Sequence, residues 1–294
     1  MPDLIIWAAG LTWADIPDHV RTAAGHRLLD DLGCLIAGVR RTEALAAARV
    51  ALSLGGPPES TLLGGADGEG PVRVGAAAAA FGNAVAMHAL DFDDTPATGL
   101  VHATAVTAPV ALALAEQTGA SGEEMLAAYT VGLVVACRLG AAVPHAFHAR
   151  GVPATWACGT IAGAVVAARL LGLDAATTAH AGSIAASGSS GLLEFLHTGG
   201  STEQLQPGFA AHAAVVAARL AAAAPGRIRA PLTHGGVREV GVPRCGGGHD
   251  DPRPDVLPRA LARANLGERA DAVLAALAAL PTAPDVKELV TCLA

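Results

Sequence analysis

The sequence predicts an all-α protein, a single helical domain over residues 1–294. Three observations carry this prediction. Apolar residues recur at helical spacing with alanine as the commonest filler, which favours helix and lets helices approach closely. Several of these stretches carry their own start and stop signals, and they lack the period-two alternation of half-buried strands. Hydrophobic residues fill 52% of the chain and charged ones only 15%, enough for a large core in one domain or at most two.

The elements follow in order. Residues 18–38, DHVRTAAGHRLLDDLGCLIAG, place Val20, Ala24, Leu28, Leu32 and Leu35 on one stripe, with Gly38 as the stop. In SGEEMLAAYTVGLVVACRLG, Ser121 and Glu124 have capping-box spacing, predicting a buried helix that ends near Gly140. GTIAGAVVAARLLG closes at Gly172, and GFAAHAAVVAARLAAAA at Pro225 and Gly226. Residues 226–258 are rich in Gly, Pro and Arg without a period, and read as an irregular link with at most one short hairpin. Residues 259–294 return as two helices, around NLGERADAVLAALAAL and PDVKELVTCL, with Pro284 in the first turn of the second.

Charge and composition exclude several functions. Lys plus Arg number 19 against 26 Asp plus Glu, and no basic run is interleaved with aromatics, which argues against nucleic acid as a partner. The N-terminus lacks a basic start and a cleavage signature. Elsewhere His, Arg, Asn or Pro interrupts the apolar runs, as Pro109 does in ATAVTAPVALALAE, before they reach the roughly 18 residues of a membrane span. A cytoplasmic protein without membrane partners is therefore expected. Cys34, Cys137, Cys158, Cys245 and Cys292 are widely spaced and odd in number, and read as thiols rather than a disulfide or zinc set. The only lysine is Lys287, which excludes Schiff-base and P-loop chemistry from the core.

The segment MHALDFDDTPATGLVHAT concentrates Asp91, Asp93 and Asp94 in a chain with few charges. On a helix, His88, Asp91 and Thr95 share a face, and Asp91 and Asp94 lie one turn apart. Pro96 would stop that helix near Asp94, leaving three carboxylates at the negative end of its dipole. Three readings are open: hydrogen-bonded Asp turns, a carboxyl whose raised pKa makes it an acid or base near neutral pH, and a magnesium site, for which DFDD is weak support. His102 follows, and His145 and His148 flank AF in VPHAFHARG. A lone histidine is more often structural than catalytic. HAFH has metal-like spacing without a second ligand pair, so no metal site is expected. ASGSSGLLEFLHTGGSTEQLQPGFAAH adds Glu194, His197, Thr202, Glu203 and Gln206, in what composition alone reads as a flexible connection. No GxSxG elbow surrounds Ser187, Ser189 or Ser190, so a hydrolase triad has little backing.

Ordered blocks then carry a resemblance. LLDDLGCLIAG, GGPPESTLLGG, FGNAVAMHALDFDDT, APVALALAEQTGASGEEMLAAYTVGLVVACRLG, FHARGVPATWACGTIAGAVVAARLLGLD and LQPGFAAHAAVVAARL resemble, in this order, the MmgE/PrpD family over residues 1 to about 225. The resemblance implies a helical core domain, a homodimer, a small-molecule substrate, and carbon-acid chemistry with no metal or organic cofactor. Such enzymes move a proton beside a carbonyl or carboxylate, with loss of water or carbon dioxide, or with epimerisation. By motif position it implies Asp91 and Thr95 in the pocket, His102 after a loop one residue longer than usual, and His148 in AFHARG.

Two departures narrow the expectation. Where the family writes TKRLHPGWAAH, this chain has TEQLQPGFAAH, with Glu203 for the lysine, Gln204 for the arginine and Gln206 for the histidine. Reversing a charge beside a buried anion costs on the order of several kcal/mol, which disfavours a tricarboxylate. The family's α/β lid is expected to be largely deleted, replaced by the 226–258 link. Tyr129, the only tyrosine, belongs to a core helix and offers no substitute for the lid's groups. The expected catalytic set is Asp91, His102, His148 and Glu203, with Thr95, Asp94, His88 and Gln206 contacting substrate. The expected function is a lyase, isomerase or cyclase of specialised metabolism, acting on a less anionic or even cationic substrate. The competing class is a non-catalytic binding relative, with ordinary 2-methylcitrate dehydration disfavoured by Glu203.

Overall fold

The computed structural model describes residues 2–68, 70–224 and 266–294. The helices are α1 (Pro2–Gly10), α2 (Asp18–Gly38), α3 (Thr42–Leu54), α4 (Ala76–His88), α5 (Ala103–Thr118), α6 (Gly122–Ala142), α7 (Ala154–Leu170), α8 (Ala175–Gly188), the single turn α9 (Phe195–Thr198) and α10 (Gln206–Ala223). Two more, α11 (Ala270–Ala279) and α12 (Lys287–Leu293), lie near the C-terminus. The all-α expectation holds, with one addition: β1 (Ser60–Leu62) and β2 (Val72–Val74) pair antiparallel, Ser60 opposite Val74. Three residues per strand are too few to show a period.

The axis of the core is α5, in which every residue from Ala103 to Ala115 is buried. Helices α4, α6, α7 and α10 pack around it, and α2, α3 and α8 form the outer layer. Alanine at most crossings keeps the helices close, so burial comes from many small contacts. Pro109 lies inside α5 without ending it, because packing on all sides outweighs the one backbone bond that proline removes. One sequence expectation is corrected here: α6 does reach the length and apolar composition of a membrane span, yet most of it is buried against its neighbours, as in a core helix.

The capping box forms as spaced: the Ser121 hydroxyl accepts from the Glu124 amide at 3.2 Å and the Glu124 carboxylate from the Ser121 amide at 2.8 Å. Helix α2 ends at Gly38 as expected. The residue is not left-handed, and a Cβ there would run into the Ala86 carbonyl, so it also serves the α2–α4 crossing. Gly140 lies against Gly99 and Val101, and α6 continues past it to Ala142. Gly172, with φ +69°, does close α7 in the predicted way.

At the C-terminus, Leu266, Val273, Leu280, Val286, Leu289 and Leu293 are buried, and the Gly122 amide donates to the Ala283 carbonyl at 3.0 Å. Helix α12 begins at Lys287 rather than at Pro284, after Asp285 accepts from the Lys287 amide at 2.9 Å. A Cβ on Gly122 would meet the Leu280 carbonyl oxygen. Gly122→Ala is therefore expected to lower stability by about 1–3 kcal/mol as the 280s segment is pushed off α6. Urea unfolding tests this, and an unchanged midpoint would refute it. Cys34 and Cys158 are buried, and Cys137 and Cys292 are partly buried. The 226–258 link, Cys245, Pro225 and Gly226 lie outside the described residues.

Candidate functional site

The acidic segment is a loop, not the end of a helix. Helix α4 stops at His88, the Asp91 amide returns to the His88 carbonyl at 3.0 Å, and Asp91 takes a left-handed backbone with φ 49°. The helical face proposed for His88, Asp91 and Thr95 does not exist. Contacts from distant elements are the reason. The Asp94 amide donates to Asp31 of α2 at 3.2 Å, the Asp94 carboxylate accepts from the Thr104 amide at 3.0 Å, and the His102 amide donates to Thr155 of α7 at 3.0 Å. Pro96 opens a turn that ends on Leu100, itself left-handed at φ 50°. Two strained positions thus bracket the loop, a pattern concentrated at functional sites.

This geometry gathers a group of four. The Asp93 side chain is fully buried, with one oxygen 2.8 Å from His88 Nδ1 and the other 3.1 Å from His102 Nδ1. On the other side of its ring, His102 Nε2 lies 3.6 Å from Asp91 Oδ1, and the Asp91 side chain is half exposed. The Thr95 hydroxyl is 3.0 Å from His102 Nδ1 and 3.3 Å from Nε2, at the ring edge between them. The two imidazoles meet edge to face with centroids 4.5 Å apart.

The charges follow from these contacts. Burial opposes an ionised Asp93, but His88 and His102 outweigh it and hold the carboxyl well below its usual range. Burial likewise opposes a charged His102, and its bond to Asp93, with Asp93, Asp91 and Asp94 nearby, overrides this and raises the imidazole to about 9. His102 is therefore an imidazolium at neutral pH.

Glu203 lies on a 3-10 turn, Glu203–Leu205, that leads into α10. Burial and then Asp91 raise its carboxyl, while His88 and His102 pull it down, so Glu203 lies within electrostatic reach of the same group. His148, on the 3-10 turn His148–Arg150, is partly buried with Nδ1 unpartnered, and is lowered by burial, His145 and His102. The structure brings Asp91, Thr95, His102, His148 and Glu203 to one region. Three expected contacts sit deeper. His88 is 2% exposed behind Asp93, and Gln206 is 5% exposed with its amide on the Leu192 carbonyl at 3.2 Å. Asp94 belongs to a second buried set with Asp31, Arg27 and Thr104. Sequence reasoning gave no role to Asp93, whose place is set by the irregular loop, or to Asp31, an aspartate of α2 that meets this loop only in the fold.

The donor atoms of His88, Asp91, Asp93 and His102 lie within 4.8 Å of one another, a spacing one cation could bridge. Both Asp93 oxygens, however, already face imidazole nitrogens, so the group reads as an acid–base chain. A separate cavity of about 440 Å³, between the end of α1, the start of α6 and the end of α7, includes none of these residues. Its Arg169 is held by the carbonyls of Ala8, Ala9 and Leu11.

Comparison with known proteins agrees with the helical architecture. The MmgE/PrpD N-terminal domain matches residues 3–226. A cis-aconitate decarboxylase of Aspergillus terreus is 29% identical over 224 residues, 73% of this chain and 44% of that protein. The human cis-aconitate decarboxylase is 32% identical over 190 residues, 60% of this chain and 37% of that protein. A cis-aconitate decarboxylase-like protein of Aspergillus oryzae is 29% identical over 227 residues, 74% of this chain. The chain thus spans less than half the length of these relatives.

Proposed function

Because the chain belongs to the MmgE/PrpD family, we propose that it is an acid–base enzyme, lyase, isomerase or cyclase, that moves a proton at a carbon beside a carbonyl or carboxylate. The observation that carries this reading is the His102 imidazolium between buried Asp93 and half-exposed Asp91, with Glu203 within electrostatic reach of the same group. Asp91 is the base that takes the carbon-bound proton. His102 donates to the oxygen on which negative charge develops, and Thr95 holds the ring edge. Glu203, its carboxyl raised by burial, returns a proton or removes a leaving group, and His148, lowered by burial, is a second base.

The same charges support a substrate class. Asp91, Asp93 and Glu203 outnumber the one imidazolium, and exposed Leu90 and Phe92 flank Asp91. These features favour a carbonyl compound with at most one carboxylate and an apolar part, in specialised metabolism. Homodimerisation and a cytoplasmic location belong to the same proposal. A second reading, decarboxylation of cis-aconitate, is favoured by the names of the relatives and opposed by Glu203.

The test is incubation in deuterium oxide with cis-aconitate, 2-oxobutyrate or cyclohexanone, following carbon-bound protons by NMR. Exchange is expected with the weakly anionic compounds and should fall at least about 100-fold in Asp91→Asn. Exchange that survives that substitution overturns the role of Asp91. Turnover of cis-aconitate in preference to the others overturns the substrate class, and tight binding of a compound without any exchange supports the non-catalytic alternative.

A further inference from the structure

We propose that Asp93 is the positioning residue of this site: buried between His88 and His102, it presents one carboxylate oxygen to each imidazole and so fixes which nitrogen of His102 faces the substrate. The inference rests on the acid–base reading above and goes beyond it, since neither the sequence pattern nor that reading assigns Asp93 a role.

The geometry leaves little freedom. Nδ1 of His102 lies 3.1 Å from the Asp93 carboxylate and 3.0 Å from the Thr95 hydroxyl, and Nε2 is the nitrogen on the Asp91 side, 3.6 Å away. The Asp93 side chain is fully buried, so it cannot touch a substrate, whereas that of Asp91 is half exposed. Two carboxylates two residues apart thus divide the work by burial, as paired acids in active sites commonly do.

Burying a lone carboxylate is costly unless donors surround it. Here one Asp93 oxygen is hydrogen-bonded by His88 Nδ1 and the other is ion-paired with His102 Nδ1, and because Asp93 is ionised, His88 must carry its proton on Nδ1. The His88 ring then also meets the His102 ring edge to face, which sets the tilt of His102. An outer carboxylate that fixes a histidine's tautomer and orientation is a general device of catalytic sites. During turnover the Nε2 proton of His102 passes to the substrate oxygen and returns, while Asp93 stays an anion throughout. The charged or titratable groups facing His102 are Asp91, Asp93, Asp94, His88, His148 and Glu203. Among the carboxylates that raise it, Asp93 contributes most, and Asp91 and Asp94 follow.

The test is a long-range 15N–1H NMR titration of the histidine-labelled full chain from pH 5 to 10, which needs no substrate. In the wild type, His102 should keep both ring protons until about pH 9, and His88 should show the Nδ1-protonated tautomer. Asp93→Asn should move the His102 midpoint down by at least about one pH unit, toward the ordinary value near 6.5, and by more than Asp91→Asn does. A midpoint that stays in place in Asp93→Asn, even with a lowered melting temperature, would show a merely structural residue and overturn the proposal. So would a larger drop in Asp91→Asn. If Asp93→Asn does not fold, the wild-type spectrum decides: an Nε2-protonated His88, or a His102 midpoint near 6.5, overturns it. The acid–base reading fails separately, through absent exchange in deuterium oxide.

Discussion

Replacing His102 by Gln is expected to lower carbon-bound proton exchange by about 10²–10⁴-fold, and the wild-type rate should fall as pH rises through about 9. Glutamine can donate one hydrogen bond toward a substrate oxygen, but it carries no charge and has no proton to deliver. The sign of the pH limb follows from the raised pKa. His102 is protonated below about 9, so the acid is present across neutral pH and is lost only on the alkaline side. The same shift has a stability counterpart. A histidine raised from the ordinary value near 6.5 contributes stability that is fully present below 6.5 and lost as pH rises through about 9. Asp93, held low, contributes in the opposite sense: its share is present above the usual carboxylate range and lost in acid. Activity should therefore decline at high pH before any change in circular dichroism, if chemistry and not unfolding is limiting. A pH–rate profile paired with thermal melts checks this, and a rate that is flat up to pH 10 would rule out the imidazolium acid.

The second large effect concerns Asp31. Its side chain is fully buried; one oxygen accepts the Asp94 amide at 3.2 Å, and the other has no hydrogen-bond partner. Burial first, then Asp94, Asp93 and Asp30, push its carboxyl well above the ordinary value. Asp94 is also raised, by burial, against the pull of Arg27 and Thr104. Tyr129 and Cys34 are raised as well, by burial first and then by these charges. A carboxyl raised in the folded state keeps its proton after the unfolded chain has lost its own. Stability then falls with rising pH, by at most about 1.4 kcal/mol per pH unit, until the folded-state pKa is passed. Asp31→Asn keeps the acceptor for the Asp94 amide and removes the titration, so its advantage over wild type should grow from pH 5 to pH 8. Asp31→Ala instead strands that amide and opens a void, and should cost about 2–4 kcal/mol at any of these pH values. Urea unfolding at four pH values separates the cases. Parallel curves for wild type and Asp31→Asn would mean that Asp31 is ionised in the fold.

Much of the helical framework was legible because the interactions that build it are local. The Ser121–Glu124 box, the left-handed Gly172 and the 18–38 stripe depend on residues one turn apart, and they form where their spacing says. Gly38 and Gly140 fall at or within two residues of the ends of α2 and α6 as expected, but their second role was not legible, for the complementary reason. What decides their role is the helix packed against them, Ala86 for Gly38 and Gly99 with Val101 for Gly140, and no local signal announces a crossing.

For the site, the sequence by itself determined which chemical groups are available, Asp91, Thr95, His102, His148 and Glu203, and the family to which the chain belongs. Only the tertiary structure decided what each group is. Bonds to Asp31, Thr104 and Thr155 draw residues 89–102 into a loop instead of another turn of helix. That change of path buries Asp93 and leaves Asp91 exposed, and it sets His102 between them. The three aspartates are alike as residues, and their protonation depends on burial and on neighbours up to 63 positions away in the chain. The physical reason is that solvation and charge act through space, so a carboxylate becomes a base, a positioning anion or a buried structural acid only once the chain has folded around it.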